Sequence, residues 1–242
     1  SPKNLYLPMQ YLLDLGGKRI RPFLTLMAGE SYGVSLKETM GAAMSVEVFH
    51  NFTLMHDDIM DKAVMRRKKT TVHLKWDVNT AILSGDAMLI KAYQSLESYP
   101  TDIFQKLTRL LSKTAIEVCE GQQYDMDFES NPKVAQEEYI EMIRLKTAVL
   151  VGCALQMGAI IGKANDEDQQ AIREVRSRSV DEKFRGDDGE DRQHHHSEMF
   201  VFRNDCAEWN HAEDHDSGRD QNGGDHPPEL SLQIHDGDRG ED

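Results

Sequence analysis

Asp57-Asp58-Ile59-Met60-Asp61 is followed within one short loop by Arg66-Arg67, so a carboxylate cluster stands next to a guanidinium pair. Magnesium takes hard oxygen ligands, keeps several waters, and completes its shell with one or two carboxylates plus phosphate oxygens. Planar Arg forks match phosphate oxygens in the same way. The residue types therefore suit a magnesium-bridged phosphate ligand, although a lone DDxxD also reads as a solvated helix end. Context favours the ligand. The cluster closes an apolar run, 44–60, with Val48, Phe52, Met55 and Ile59 at helical intervals. On that helix Asp57 and Asp61, four residues apart, share a face, and His50 lies two turns earlier on it.

A second basic constellation occupies Gly16-Gly17-Lys18-Arg19-Ile20-Arg21-Pro22. Paired glycines let the backbone turn and approach a ligand, and Lys18 and Arg21 add cations three residues apart. The GxxxxGK[ST] spacing of a Walker loop is missing. Alone, the motif reads first as a helix C-cap followed by a solvated basic turn. Beside the aspartates and Arg66-Arg67 it reads as a phosphate contact.

Helices must position these groups. Apolar periodicity predicts helices over 6–15, ending at Gly16-Gly17, over 23–28 behind Pro22, and over 37–60. Further helices are predicted over 77–96, over 103–119 and beyond with Thr101 as cap, and, after the Asn131-Pro132 turn, over 137–146 and 147–161. Alternating extended runs are absent, so the expectation is an all-α, single-domain body. The longest apolar run, 147–162, contains Gln156 and falls short of the roughly 20 residues of a membrane span, which makes it a core helix with no stable membrane insertion.

The chain has 242 residues and a formal charge of −14, unevenly distributed. Residues 1–172 carry 19 Lys plus Arg against 22 Asp plus Glu, whereas residues 173–242 carry 9 against 20 and only 14 apolar residues in 70. A segment so poor in apolar groups buries too little surface to offset its ordering entropy. The expected division is a helical body, 1–172, incomplete on its C-terminal side, and an acidic tail, 173–242, read as disordered or as an out-of-frame continuation. Cys119, Cys153 and Cys206 form no CxxC pair, and the N-terminus shows no signal pattern. A reducing, cytoplasmic location is expected. The acidic balance argues against nucleic-acid binding.

The body resembles a trans-isoprenyl diphosphate synthase of the polyprenyl synthetase family over residues 4–172. The matching residues are the Gly-rich basic stretch at 16–22, the aspartates at 57–61 with Arg66-Arg67, Gly121-Gln122-Gln123-Tyr124-Asp125-Met126, and Lys146-Thr147. The resemblance implies a helix bundle around a central cavity, a homodimer, and Mg2+ as cofactor. It assigns Lys18, Arg21, His50 and Arg67 to the diphosphate of isopentenyl diphosphate. Asp57 and Asp61, with Asp58 beside them, would hold metal ions on an allylic diphosphate, which Arg66 and Lys146 would also contact. The Thr147 carbonyl would stabilise the allylic cation, and Gln122 and Asp125 would line the cavity. Phe52 and Thr53, five and four residues before Asp57, would set product length near fifteen to twenty carbons, with Phe52 as a floor; ordinary core packing is the other reading of that ring.

In the tail, Asp187-Asp188-Gly189-Glu190-Asp191 matches the spacing of a second aspartate-rich motif, but its charged surroundings lack an apolar face. Asp187, Asp188 and Asp191 are read either as a solvated run or as the remaining metal ligands. His194-His195-His196 is read as a polar tract. Two functions stay open: an active Mg-dependent prenyltransferase, and an impaired or truncated homologue acting as a diphosphate-binding or partner subunit.

Overall fold

The structure, a computed structural model, describes residues 2–131, 133–169 and 171–172. The readings placed on 173–242, including Asp187, Asp188, Asp191 and the histidine tract, lie outside the described residues.

The described body is helical, in the order α1 (Lys3–Asp14), α2 (Ile20–Ser31), α3 (Leu36–Met60), α4 (Val72–Lys75), α5 (Val78–Gln94), α6 (Thr101–Ser130), α7 (Gln136–Ile143) and α8 (Val149–Ile161). α3 starts at a capping box: Glu38 N–H donates to Ser35 Oγ, and the Ser35 N–H donates back to Glu38 Oε2 at 3.2 Å. At 25 residues it is about 37 Å long and carries both His50 and the aspartates along one rod. α5 lies along it, so close that a Cβ at Gly85 would overlap the His56 ring of α3, while Ser84 Oγ donates to Leu5 O of α1 at 3.0 Å. α2 packs on α8 and α3. A Cβ at Gly158 would meet Gly29 N at 2.6 Å, so the α2–α8 crossing is close at the backbone level.

The core joins Phe49, Met55, Met88, Leu107, Leu111 and Met157, from α3, α5, α6 and α8. Among the described residues, the continuous helical run Gln136–Ile161 is long and apolar enough to cross a membrane. Its packing is that of a core helix, with 67% of its apolar stretch buried inside the protein.

The elements depart from the sequence expectations in several places. α1 begins at Lys3 and α6 at Thr101, whose predecessor Pro100, rather than Thr101 itself, occupies the cap position. Residues 136–161 run as one helix, where two were expected, because Arg144–Ala148 forms a π-helical turn at the expected break. An antiparallel hairpin, β1 (Met65–Arg66) and β2 (Lys69–Thr70), appears where no strand was expected. Two-residue strands are too short to show alternation. Their loop residues, Arg67 and Lys68, have φ of 50° and 61°, the signs a type I′ turn requires, without the Asn-Gly that normally signals one.

Candidate active site

The basic pocket is assembled from the 16–19 loop, the start of α2, the middle of α3 and the hairpin tip. Gly16 and Gly17 have φ of 81° and 137°, and Arg19 continues the left-handed path at 49° before α2 begins. That path brings the loop onto the hairpin: a Cβ on Gly17 would lie 2.7 Å from Arg67 NH2. At the second residue of α2, Arg21 NH1 donates to His50 Nε2 at 3.2 Å. Loss of water contact, with Arg21, Arg67, Arg66 and Arg19 nearby, holds the His50 imidazole well below its ordinary range, so its Nε2 is a neutral acceptor. Burial also lowers Arg21 and Arg67, yet a guanidinium stays charged. Arg21 Nε and Arg67 NH1 are buried without hydrogen-bond partners. Orphaned cationic donors around a neutral histidine match an anion with several oxygens.

The acidic part lies at the C-terminal end of α3. Asp58 is 2% exposed and held by Arg66, whose Nε donates to both carboxylate oxygens at 2.9 Å. Burial pushes the Asp58 carboxyl up, against the pull of that fork. Arg66 NH2 also reaches Asp57 Oδ2 at 3.5 Å. On its other side Asp57 Oδ1 faces Lys146 Nζ at 3.2 Å, and the same ammonium donates to Asp125 Oδ2 at 2.7 Å. Burial works against the Lys146 charge, but Asp57 and Asp125 together hold it above its usual range. Asp61 caps α3 one turn beyond Asp57, donating its N–H to Asp57 O.

Lys146 lies on the π turn, Arg144–Ala148. A Cβ at Gly121 of α6 would overlap the Lys146 backbone nitrogen and lie 2.7 Å from Leu145 C, so α6 seats directly on the turn that presents Lys146. Gln122, next along α6, has a buried Nε2 with no partner, and Thr147 is exposed on the turn. Phe52 lies edge-on to His56 at 4.8 Å and tilted against Phe49 at 5.6 Å, while Thr53 Oγ1 donates to His50 O.

The expected residues thus gather as two linked groups, Arg21–His50–Arg67 and Arg66–Asp57–Lys146–Asp125. Asp58 faces Arg66, so a metal there requires that fork to move. Three features escaped sequence reasoning: the hairpin turn, the Lys146 bridge between two carboxylates, and Glu47, which pairs with Arg19 and Asn51 beside the basic pocket. A lone glutamate one turn before His50 on an apolar helix was the available signal for the last.

Among the described residues no group of three or more His, Cys, Asp or Glu side chains converges as a ready metal cage. Magnesium with one or two carboxylates and phosphate oxygens needs no such cage. Asp57 and Asp61 fit that mode.

A predominantly helical body that sets orphaned arginines near an aspartate-rich helix end is the class of fold the structure defines. Residues 2–178 match the Polyprenyl synthetase family, and the chain belongs to that family. It is 46% identical over 176 residues to a geranylgeranyl diphosphate synthase of Methanosarcina mazei, covering 72% of this chain and 54% of the relative. A solved geranylgeranyl pyrophosphate synthase superposes with a TM-score of 0.72 at 59% identity, covering 73% of this chain and 54% of the other. The geranylgeranyl pyrophosphate synthetase of Pyrococcus horikoshii gives 0.70 at 38% identity, with 73% and 54% covered. The chain spans about half the length of the curated relatives it matches.

Proposed function

We propose that this protein is a prenyltransferase that condenses isopentenyl diphosphate with an allylic diphosphate, extending the chain by five carbons to a product of about fifteen to twenty. The observation that carries the reading is the pairing of two vacant cationic donors, Arg21 Nε and Arg67 NH1, with an Asp57 held between Arg66 and Lys146. The first group suits the diphosphate of the homoallylic substrate. Lys18, on the loop beside Arg21, joins it.

Asp57 and Asp61, with Asp58 beside them, are the residues that would hold Mg2+, which when bound supplies positive charge against the departing diphosphate. Arg66 and Lys146 bind and orient that diphosphate and stabilise the charge it gains as its bond to the allylic carbon breaks. The isopentenyl double bond attacks that carbon, and a proton is then lost from the isopentenyl unit to the released diphosphate. The exposed Thr147 lies on the turn that carries Lys146, where its carbonyl serves the cation. Gln122 and Asp125 line the cavity, and Phe52 with Thr53 sets how far the product extends. We further propose a homodimer located in the cytoplasm.

The test is magnesium-dependent condensation of isopentenyl diphosphate with an allylic diphosphate, with products separated by chain length. Formation of a product one unit longer supports the reading, and its loss in Asp57→Asn assigns the site. The engagement of Asp58 by Arg66 and of Asp57 by Lys146 favours a second reading, a diphosphate-binding but catalytically impaired homologue. Calorimetric binding of isopentenyl diphosphate without turnover selects that one.

A further inference from the structure

The proposed reaction uses neither Arg19 nor Glu47, yet the two form the best-gripped ion pair beside the basic pocket. Arg19 NH1 pairs with Glu47 Oε1, and Arg19 NH2 donates to Leu13 O at 2.7 Å. From the far side, Asn51 Nδ2 donates to the same Glu47 oxygen at 2.9 Å and to the Glu47 carbonyl at 2.8 Å. Asn51 is fully buried, and the Glu47 side chain is 14% exposed. The pair therefore ties the end of α1 and the 16–19 loop to the middle of α3, a long helix with little freedom to follow a wandering loop.

Arg19 also sits in a left-handed conformation that a non-glycine residue adopts only when its surroundings hold it there. The same loop carries Gly17, whose backbone lies against the Arg67 guanidinium. Glu47 attracts both Arg21 and Arg67, whereas Arg19 and Arg66 repel Arg67. Without this carboxylate, the arginines around His50 would push the loop outward.

We propose that Glu47 is a positioning residue: through Arg19 it locks the 16–19 loop against Arg67, in the arrangement that receives a diphosphate. The ligand named here rests on the proposed function; the locking of the loop does not. The idea makes a prediction opposite in sign to simple charge counting. Removing a negative charge next to an anion site should tighten anion binding. Removing a positioning carboxylate should weaken it.

The experiment compares the full chain with Glu47→Gln, Glu47→Asp, Arg19→Gln and the Glu47→Gln/Arg19→Gln double variant. Two readouts are taken, backbone hydrogen exchange and calorimetric titration with inorganic pyrophosphate. In Glu47→Gln, exchange over residues 13–23 should rise about tenfold while α5 keeps its protection, with Glu47→Asp restoring part of it. Pyrophosphate should bind about tenfold more weakly to Glu47→Gln, and the double variant should bind no worse than the weaker single one, because both break one pair. Unchanged exchange over 13–23, a rise shared equally by α5, or tighter pyrophosphate binding would each overturn the proposal. If the unaltered chain fails to bind pyrophosphate, the diphosphate reading falls, and the exchange result still decides the role of Glu47.

Discussion

Replacing Gly17 with alanine, with Gly16→Ala alongside, separates backbone conformation from the approach of the loop to Arg67. Both glycines have positive φ, 81° at Gly16 and 137° at Gly17. An L side chain at either position costs roughly 1–2 kcal/mol. For a body of this size, that lowers the melting temperature by about 2–8 °C. The surroundings differ sharply. A Cβ at Gly16 meets nothing within 4 Å, whereas one at Gly17 falls 2.7 Å from Arg67 NH2 and 2.9 Å from its Cζ and NH1. The guanidinium must shift in Gly17→Ala and is untouched in Gly16→Ala. Arg67 NH1 is one of the two orphaned donors, and a charge-assisted hydrogen bond contributes about 1.5–3 kcal/mol. Arg67 is only half-buried, so the lower end applies, about 1.5 kcal/mol or roughly tenfold in affinity. Titration with inorganic pyrophosphate and with isopentenyl diphosphate should show Gly16→Ala within about twofold of the unaltered chain and Gly17→Ala about tenfold weaker. Equal weakening in both variants would refute the reasoning, since the contact with Arg67 would then be irrelevant.

Gly121→Ala should force α6 away from the π turn, lowering stability by about 1–3 kcal/mol as an overpacked contact and weakening allylic diphosphate binding more than pyrophosphate binding in the Arg21 pocket. Thermal melts and paired titrations check this; a melt unchanged from the parent contradicts the close seating. His50 is depressed in the folded state, so the unfolded chain takes up a proton that the folded chain refuses once pH drops below about 6.5. Stability from this group is constant above that pH and falls below it, by at most about 1.4 kcal/mol per pH unit. Urea unfolding between pH 5 and 7 should therefore show a shallower slope for His50→Asn than for the parent; parallel slopes would mean the imidazole is not held neutral. Phe52→Ala should lengthen the prenyl product by at least one unit, and an unchanged product distribution would leave Phe52 as core packing alone.

Much of the site was legible because helical periodicity is local. Asp57, Asp61 and His50 share a face by spacing alone, and the capping box at Ser35 and Glu38 marks where that helix begins. The pairing of Arg66 with the aspartates was legible as proximity in sequence, but not which carboxylate it takes. Burial decides that: Asp58 points inward on α3 and accepts the fork, and Asp57 is left to Lys146.

The sequence by itself determined the all-helical body, the two basic stretches, the aspartate-rich helix end and the family. Each rests on side-chain spacing within about two turns of helix or on a short run of residues. Only the tertiary structure decided the left-handed backbone at Arg19, Arg67 and Lys68, the π turn at Arg144–Ala148, and the pairing of Glu47 with Arg19. None of these follows from local preference, because non-glycine residues avoid positive φ and a π turn is a poor isolated helix. They persist because packing from other elements over-determines them: the loop against the hairpin, α6 through Gly121 against the π turn, and α3 beneath the arginines.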